Sequence, residues 1–426
     1  MSETKHSGWV PRLRFPQFRE AEGWKQKTLS GIAMVVMGSS PRSEGYNENQ
    51  NGLPLLQGNA DIKNRLSAPR VFASEITKEC QIGDILMSVR APVGSVAKSV
   101  HHACLGRGIA AIHSRRPNSQ EFLYQWLLSY ESRWVKISQG GTFEAINSDD
   151  LRQVGLTTPS PAEQHKIADC LSSVDELIAA QTRKVDALKA HKKGLMQQLF
   201  PREGETQPRL RFPEFKNAGE WARMSIQEMI DRQFIVGHLD GNHGELYPKA
   251  EEFSQNKEGI PYITANDFMN GSVDFSRCKR LPIERARLFK KGVAKDGDIL
   301  FAHNATVGPV AKLNTSEDFV VLSTTATYFR CNSTHLSNDF LKSALSSPDF
   351  VAQYSRVMSQ STRNQVPITT QRKLDLHIPL LPEQQRLASC LSSLDTLITL
   401  ETQKLEALKI HKKGLMQQLF PQVSEE

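Results

Sequence analysis

The chain of 426 residues contains no apolar run long enough to span a bilayer and no charged-then-apolar leader. This excludes a helical membrane protein and makes the cytoplasm the expected location. Cysteine is scarce. The six, at positions 80, 104, 170, 278, 331 and 390, never form a Cys-x-x-Cys pair, so reduced thiols are expected, with Cys170 and Cys390 buried on helices. His101, His102 and Cys104 lie close together but have no distant second half, and neither metal nor cofactor is expected. Catalytic signatures are missing as well. There is no GxxxxGK[ST] loop, no GxSxG, no HExxH and no Asn/Asp-Pro-Pro-aromatic string. Glu251 and Glu252 lack a matching acid and lysine at motif spacing and read as a solvated face. Charge of one sign is also modest: 53 Lys and Arg against 46 Asp and Glu leave +7, spread along the chain rather than held in a tail. That balance permits a nucleic-acid partner without requiring one.

What the sequence does have is duplication. His191 to Pro201 reads HKKGLMQQLFP, and His411 to Pro421 reads the same. At this offset of 220, 26 of the 39 positions from Glu163 to Pro201 recur in Glu383 to Pro421. PRLRFPQF at Pro11–Phe18 returns as PRLRFPEF at Pro208–Phe215, at an offset of 197. Between these repeats lie two poorly matched inserts.

The long repeats have the periodicity of coiled-coil helices. Ile167, Leu171, Val174, Ile178, Val185, Leu188, Leu195 and Leu199 follow a 4-3-4 spacing, with Gln181 and Lys192 at the missing steps. Leu387, Leu391, Leu394, Ile398, Leu405, Leu408, Leu415 and Leu419 repeat it, with Glu401 and Lys412 in the gaps. A narrow seam of this kind must pack on another helix, over roughly 55 Å for each helix, and the matching seams predict mutual pairing. Antiparallel pairing would put the inserts at opposite ends of the rod; parallel pairing would put them side by side at one end. The PRLRFP segment of each half would then lie near an LFP helix end, in an almost circular arrangement.

The inserts share a frame and differ in content. Each opens on a tryptophan, Trp24 or Trp221, followed by PLLQGN (Pro54–Asn59) or PYITAN (Pro261–Asn266). Each then carries a Gly-Asp turn into a strand, GDILMSVRAPVG (Gly83–Gly94) or GDILFAHNATVG (Gly297–Gly308), whose centre changes from Ser88-Val89-Arg90 to Ala302-His303-Asn304. Asp84 and Asp298, common to both, read as turn formers. Short strands are expected at 109–112, 320–322 and 325–329, and helices at 121–135 and 339–351, with Trp126 and Trp134 in the core.

Taken together, the duplicated HKKGLMQQLFP ends, the PAEQHKIA and PEQQRLA helix starts, the two GDIL frames and the loop GGTFEAINSDDL at Gly140–Leu151 resemble the specificity (S) subunit of Type I restriction-modification systems, along essentially the whole chain. The resemblance implies an α+β fold with two mixed α/β target-recognition domains separated by two long helices that form an antiparallel coiled coil, with a pseudo-twofold internal repeat. The expected boundaries are 1–160 for the first domain and 161–201 for the first helix. Residues 202–380 are expected to hold the linker and second domain, and 381–426 the second helix and tail. It further implies a non-catalytic subunit that reads a split, asymmetric target in double-stranded DNA, one domain for each half. Such a subunit docks two modification (methyltransferase) subunits and the restriction (translocase/endonuclease) subunits. The competing reading is a coiled-coil scaffold whose variable domains bind proteins.

Side chains that distinguish base pairs in the major groove present two donors, or a donor and an acceptor. The variable centres supply Gln57, Asn59, Ser88 and Arg90 in the first insert, and Thr264, Asn266, His303 and Asn304 in the second. Lys63, Arg65, Lys279 and Arg280 are candidate phosphate contacts. The loops at 138–147 and 359–365 add Thr142, Arg363 and Asn364. Leu195, Gln197, Leu415 and Gln417, at the repeated helix ends, are the candidate surface for partner subunits.

Overall fold

A computed structural model describes residues 9–138, 145–254, 258–360 and 363–421. The chain forms two compact units, and each long helix contributes to both. The first unit holds the chain up to Thr182 together with the residues from Lys404 onward, and the second holds Arg183–Gln403. The helices run over Pro161–Leu199 and Leu381–Leu419.

In the first unit the start of one helix lies against the end of the other, so the two run antiparallel there. Lys412 Nζ bonds Asp175 at 2.7 Å, and Ile167, Leu171, Leu419 and Phe420 join one apolar core. The second unit repeats the arrangement with the roles exchanged: Lys192 pairs with Asp395, Lys184 with Glu401, and Leu199, Phe200, Leu387 and Leu391 share a core. Every expected seam position is buried or half-buried, Gln181 and Lys192 included. Cys170 and Cys390 sit beside the seam and are half-buried, less enclosed than expected, and all six thiols are free.

The helix starts explain their own sequence. Glu163 accepts two bonds from Arg14, at 2.9 and 2.8 Å, and one from Trp24 Nε1 at 3.3 Å. Glu383 does the same with Arg211, at 2.7 and 2.7 Å, and with Trp221 at 3.3 Å. A buried, forked Arg–carboxylate pair fixes position as well as charge. The next residue, Gln164 or Gln384, accepts a backbone bond from Ser119 or Ser337, where each insert's helical segment begins. The arginine of each PRLRFP is thus tied to a helix start, and its leucine is tied to a helix end. Leu13 N donates to Gln418 O at 3.0 Å, and Leu210 N to Gln198 O at 2.9 Å. Each PRLRFP segment thus lies at an LFP helix end, as expected.

Both inserts are closed by an antiparallel strand pair, Lys25–Thr28 with Gly155–Thr158 and Ala222–Ser225 with Asp375–Ile378. Between them lies the same mixed six-stranded sheet. Its order is 33–37, 109–114, 85–88, 96–98, 66–67, 62–63 in the first insert, and 235–240, 326–331, 299–304, 306–312, 272–273, 268–269 in the second. A further sheet has five strands in the first insert and four in the second. The helix Gln120–Ser138 buries Phe122, Trp126 and Trp134 against the first sheet. Its counterpart is broken into Asn338–Ala344 and Pro348–Ser359, not continuous as expected, because Ser347 caps a new helix with proline at its first position.

Asp175 and Lys412 form a testable contact. Asp175→Lys places like charges at this step, an expected cost of about 1 kcal/mol for a part-exposed pair, and adding Lys412→Asp should restore most of it. Urea unfolding of the single and double variants measures this; a double variant no more stable than Asp175→Lys alone would refute the coupling.

Candidate nucleic-acid interface

In each unit three loops meet at one end of the sheets. In the first, strand Leu53–Leu56 runs into Gln57, and strand Ala103–Leu105 runs into Gly106-Arg107-Gly108. Gly106 N donates to Leu56 O at 2.8 Å and Gly108 N to Gln57 O at 3.0 Å. Glycine is required here, since a Cβ at Gly108 would stand 2.3 Å from Gln57 O. Val89 N then donates to Gly108 O, and Ile146 N to Val89 O, each at 2.9 Å. The variable centre of the GDIL strand therefore lies between the 106–108 loop and the end of the 138–147 loop, with Arg90 bridged to Ala145.

The second unit repeats three of the four rungs; in place of the fourth, Thr325 N donates to Ser323 Oγ at 3.2 Å and Thr325 Oγ1 accepts from Ala265 N at 2.9 Å. Ser323 N donates to Ile263 O at 2.8 Å, His303 N to Thr325 O at 3.0 Å and Val366 N to His303 O at 2.8 Å, with Asn304 bridged to Gln365. Corresponding tip residues are then Gln57 and Thr264, Arg107 and Thr324, Arg90 and Asn304. Sequence reasoning missed Arg107 and Thr324, although Gly-Arg-Gly between two strands signals a tight loop presenting a single side chain.

The tips rest on carboxylates that bind backbone. Asp61 Oδ2 accepts from Gln57 N at 2.7 Å, and Asp267 Oδ2 from Thr264 N at 2.7 Å. Asp84 and Asp298 accept from Gln81 N and Lys295 N, each at 2.8 Å, in the turns assigned to them.

The remaining candidates divide by what their side chains do. Gln57, Arg90, Asn266, Lys63 and Lys279 are exposed and Asn59 is half-buried; Arg363 and Asn364 are exposed beside Asn304. Asn364 spends its amide on Ala305 O at 2.8 Å, which holds Ala305 in the left-handed region at φ 63. Such a conformation costs free energy in any residue but glycine. Thr264 Oγ1 donates to Asp267 at 2.8 Å. Arg65 stands at the tip of the 62–67 hairpin with φ 63, held by Glu131 and by Val96 O at 3.0 Å, and it shares a shallow groove with Asn59 and Ser95. Lys279 and Arg280 lie on an edge strand opposite Tyr262 and Pro261, with Arg280 paired to Glu317 at 3.1 Å. Leu195 and Leu415 are half-buried against the two cores, whereas Gln197 and Gln417 face solvent. Thr142 lies outside the described residues.

Two candidates are corrected. Ser88 has no exposed surface; its hydroxyl donates to Pro92 O at 2.7 Å and accepts from Ser95 N at 2.9 Å, closing the turn after its strand. His303 is also buried, with Nδ1 facing Thr327 Oγ1 at 2.9 Å. Both strands are covered on both faces, so side-chain alternation does not bring either residue to the surface.

A sequence model described as the Type I restriction modification DNA specificity domain matches residues 21–190 and again 236–409. The chain belongs to this family. It is 35% identical over 167 residues to the proposed type I restriction enzyme MjaX specificity subunit of Methanocaldococcus jannaschii, a stretch of 39% of either chain. It is 23% identical over 304 residues to the MjaVIII specificity subunit of the same organism, covering 70% of this chain and 69% of that one. The matched part thus spans about two fifths of the first relative's length. Among solved structures, the S subunit of a Type I restriction-modification system from M. genitalium superposes with a TM-score of 0.60 at 15% identity, covering 97% of this chain and all of the other. A chain from a structure of complex assembly and conformational transition of the type I R-M system gives 0.55 at 15% identity, covering 94% and 98%. These family folds agree with the two sheet-rich modules and paired helices seen here. Among the described residues no helix is long and apolar enough to cross a membrane.

His303 ends a buried chain that includes Thr327, Gln371 and His238, and this chain makes the second unit sensitive to acid. Burial holds His238 down to about 4, and the facing Arg372 adds to the shift. Between about 6.5 and about 4 the unfolded chain takes up a proton that the folded chain refuses. Stability is therefore present at neutral pH and lost as pH falls through that window, by about 3 kcal/mol at most. His238→Val should flatten this part of the pH dependence of urea unfolding. An unchanged slope between pH 6.5 and 4.5 would contradict the assignment.

Proposed function

We propose that this chain is the DNA-recognition subunit of a Type I restriction-modification complex, each unit reading one half of a split target. The observation that carries the reading is the pairing of a backbone ladder, three of whose four rungs recur, with different tips: Gln57, Arg107 and Arg90 in one unit, Thr264, Thr324 and Asn304 in the other. A scaffold for two readers needs a constant frame, and the readers need different donors and acceptors. Arg90 makes no ion pair or hydrogen bond among the described residues and is exposed, a state suited to bidentate contact with guanine. Lys63 is exposed on the same unit and suits phosphate. Unlike tips imply an asymmetric target.

In this reading the chain has no catalytic role. Modification and restriction are done by partner subunits in the cytoplasm, and the solvent-facing Gln197 and Gln417 on the repeated helix ends are the landing positions for two modification subunits. The paired helices set the gap between half-sites.

The test uses the full-length chain assembled with its modification subunits. Binding should select a split, non-palindromic duplex and weaken steeply with salt. Arg90→Ala should relax discrimination at one base pair of one half-site by about 1–3 kcal/mol and leave the other half unchanged. Site selection from a random duplex library reads both results. Equal loss at both halves, or recovery of no split motif, would overturn the proposal.

A further inference from the structure

Beneath the tip loops the two units differ in one layer. In the first unit the layer is Val35, Val89, Ala110 and Leu151, all buried in one apolar core. Corresponding positions in the second follow from the pairing. Val35 lies opposite Ile112 as His238 lies opposite Phe329, and Ala110 opposite Met87 as Thr327 opposite Phe301. Val89 and His303 accept the same rung from Ile146 and Val366. Leu151 and Gln371 each follow that rung by five residues, and both have no exposed surface. Four apolar residues are thus replaced by His238, His303, Thr327 and Gln371, none more than 5% exposed.

The four polar residues form one directed chain. Arg372 Nε donates to His238 Nδ1 at 3.5 Å, and His238 Nε2 faces Gln371 Oε1 at 3.2 Å. Gln371 Nε2 donates to Thr327 Oγ1 at 3.0 Å and to Val366 O at 2.9 Å, and Thr327 faces His303 Nδ1 at 2.9 Å. The tautomers are assigned from these partners: with both histidines neutral, every link has one donor and one acceptor. The chain ends on backbone that carries the tip. Val366 follows the segment with Arg363, Asn364 and Gln365, and His303 precedes Asn304.

Buried polar groups are costly unless fully bonded, and the sister unit builds the same layer from hydrocarbon. Stability alone therefore does not call for the network. A bonded network differs from an apolar layer in direction: it holds its members in one geometry, whereas hydrocarbon can slide. We propose that the His238–Gln371–Thr327–His303 chain is a positioning device that sets the second unit's reading tip, so that these buried residues determine half-site specificity without touching DNA. The inference rests on the DNA-reading function above.

The experiment measures binding of the full-length chain, in its complex, to duplexes with single-base changes in either half-site. Thr327→Val keeps the shape and removes the hydroxyl; Thr327→Ser keeps the hydroxyl. Thr327→Val should reduce discrimination in the half read by the second unit at least tenfold, leave the other half within twofold, and keep overall fold by circular dichroism, while Thr327→Ser retains wild-type discrimination. Should Thr327→Val fail to fold, Gln371→Leu installs the residue found in the first unit's layer and is expected to give the same half-specific loss. Unchanged discrimination in a folded variant, or equal loss in both halves, overturns the positioning role. A wild-type chain that recognises no split duplex overturns the DNA-reading function instead, and this inference with it.

Discussion

Asp175 and Lys192 stand 17 residues apart on the first long helix, and Asp395 and Lys412 occupy the same places on the second. A duplicated helix that packs on its own copy must satisfy that spacing. Parallel, in-register pairing would set Asp175 against Asp395 and Lys192 against Lys412, like charge on like charge. Antiparallel pairing joins Asp175 to Lys412 and Asp395 to Lys192, as each unit contains. Apolar seams alone are nearly indifferent to direction, so these polar steps, which weaken the seam, decide how it closes. The requirement resembles that of a twofold dimer interface, in which one patch must complement itself, met here within a single chain.

Much of the frame follows from that constraint. With a helix end of one repeat against the helix start of the other, Leu419 and Phe420 reach Trp24 and Phe122, and Leu199 and Phe200 reach Trp221 and Phe340. Each PRLRFP segment then closes the joint, its arginine on a glutamate at a helix start and its leucine on a glutamine carbonyl at a helix end. The strong identity of these segments is therefore a statement about packing. Each residue serves a joint that is built twice, so drift in one copy would break a contact that the other still makes.

The helices, the paired tryptophans and the loops that flank Arg90 and Asn304 were legible because they recur or follow a period; the antiparallel course came only with the family resemblance, since matched seams allow either direction. Arg107 and Thr324 were not, because LGRG and LSTT share only a leucine and the equivalence lies in backbone bonds to Leu56 and Ile263. The burial of Ser88 and His303 was hidden for a related reason. A strand covered on both faces has no alternation to mark its solvent side, and a serine or histidine beside an arginine or asparagine looks equally available. The break before Pro348 was readable from proline and Ser347, yet the apolar spacing on either side suggested one continuous helix.

The way the tips are held explains how one frame can carry unlike readers. Asp61, Asp267, Asp84 and Asp298 all bind backbone amides, and the rungs joining the three loops are backbone to backbone except where Thr325 Oγ1 accepts from Ala265 N. A frame built from main-chain groups places few demands on the side chains at its rim, so Gln57 can be exchanged for Thr264, or Arg90 for Asn304, with the loop course preserved. The layer below is less free. It must fill a closed space, and it does so in one unit with hydrocarbon and in the other with a satisfied polar chain. Such a change requires several positions to alter together, because any one of the four polar residues alone in an apolar layer would leave a buried group unbonded.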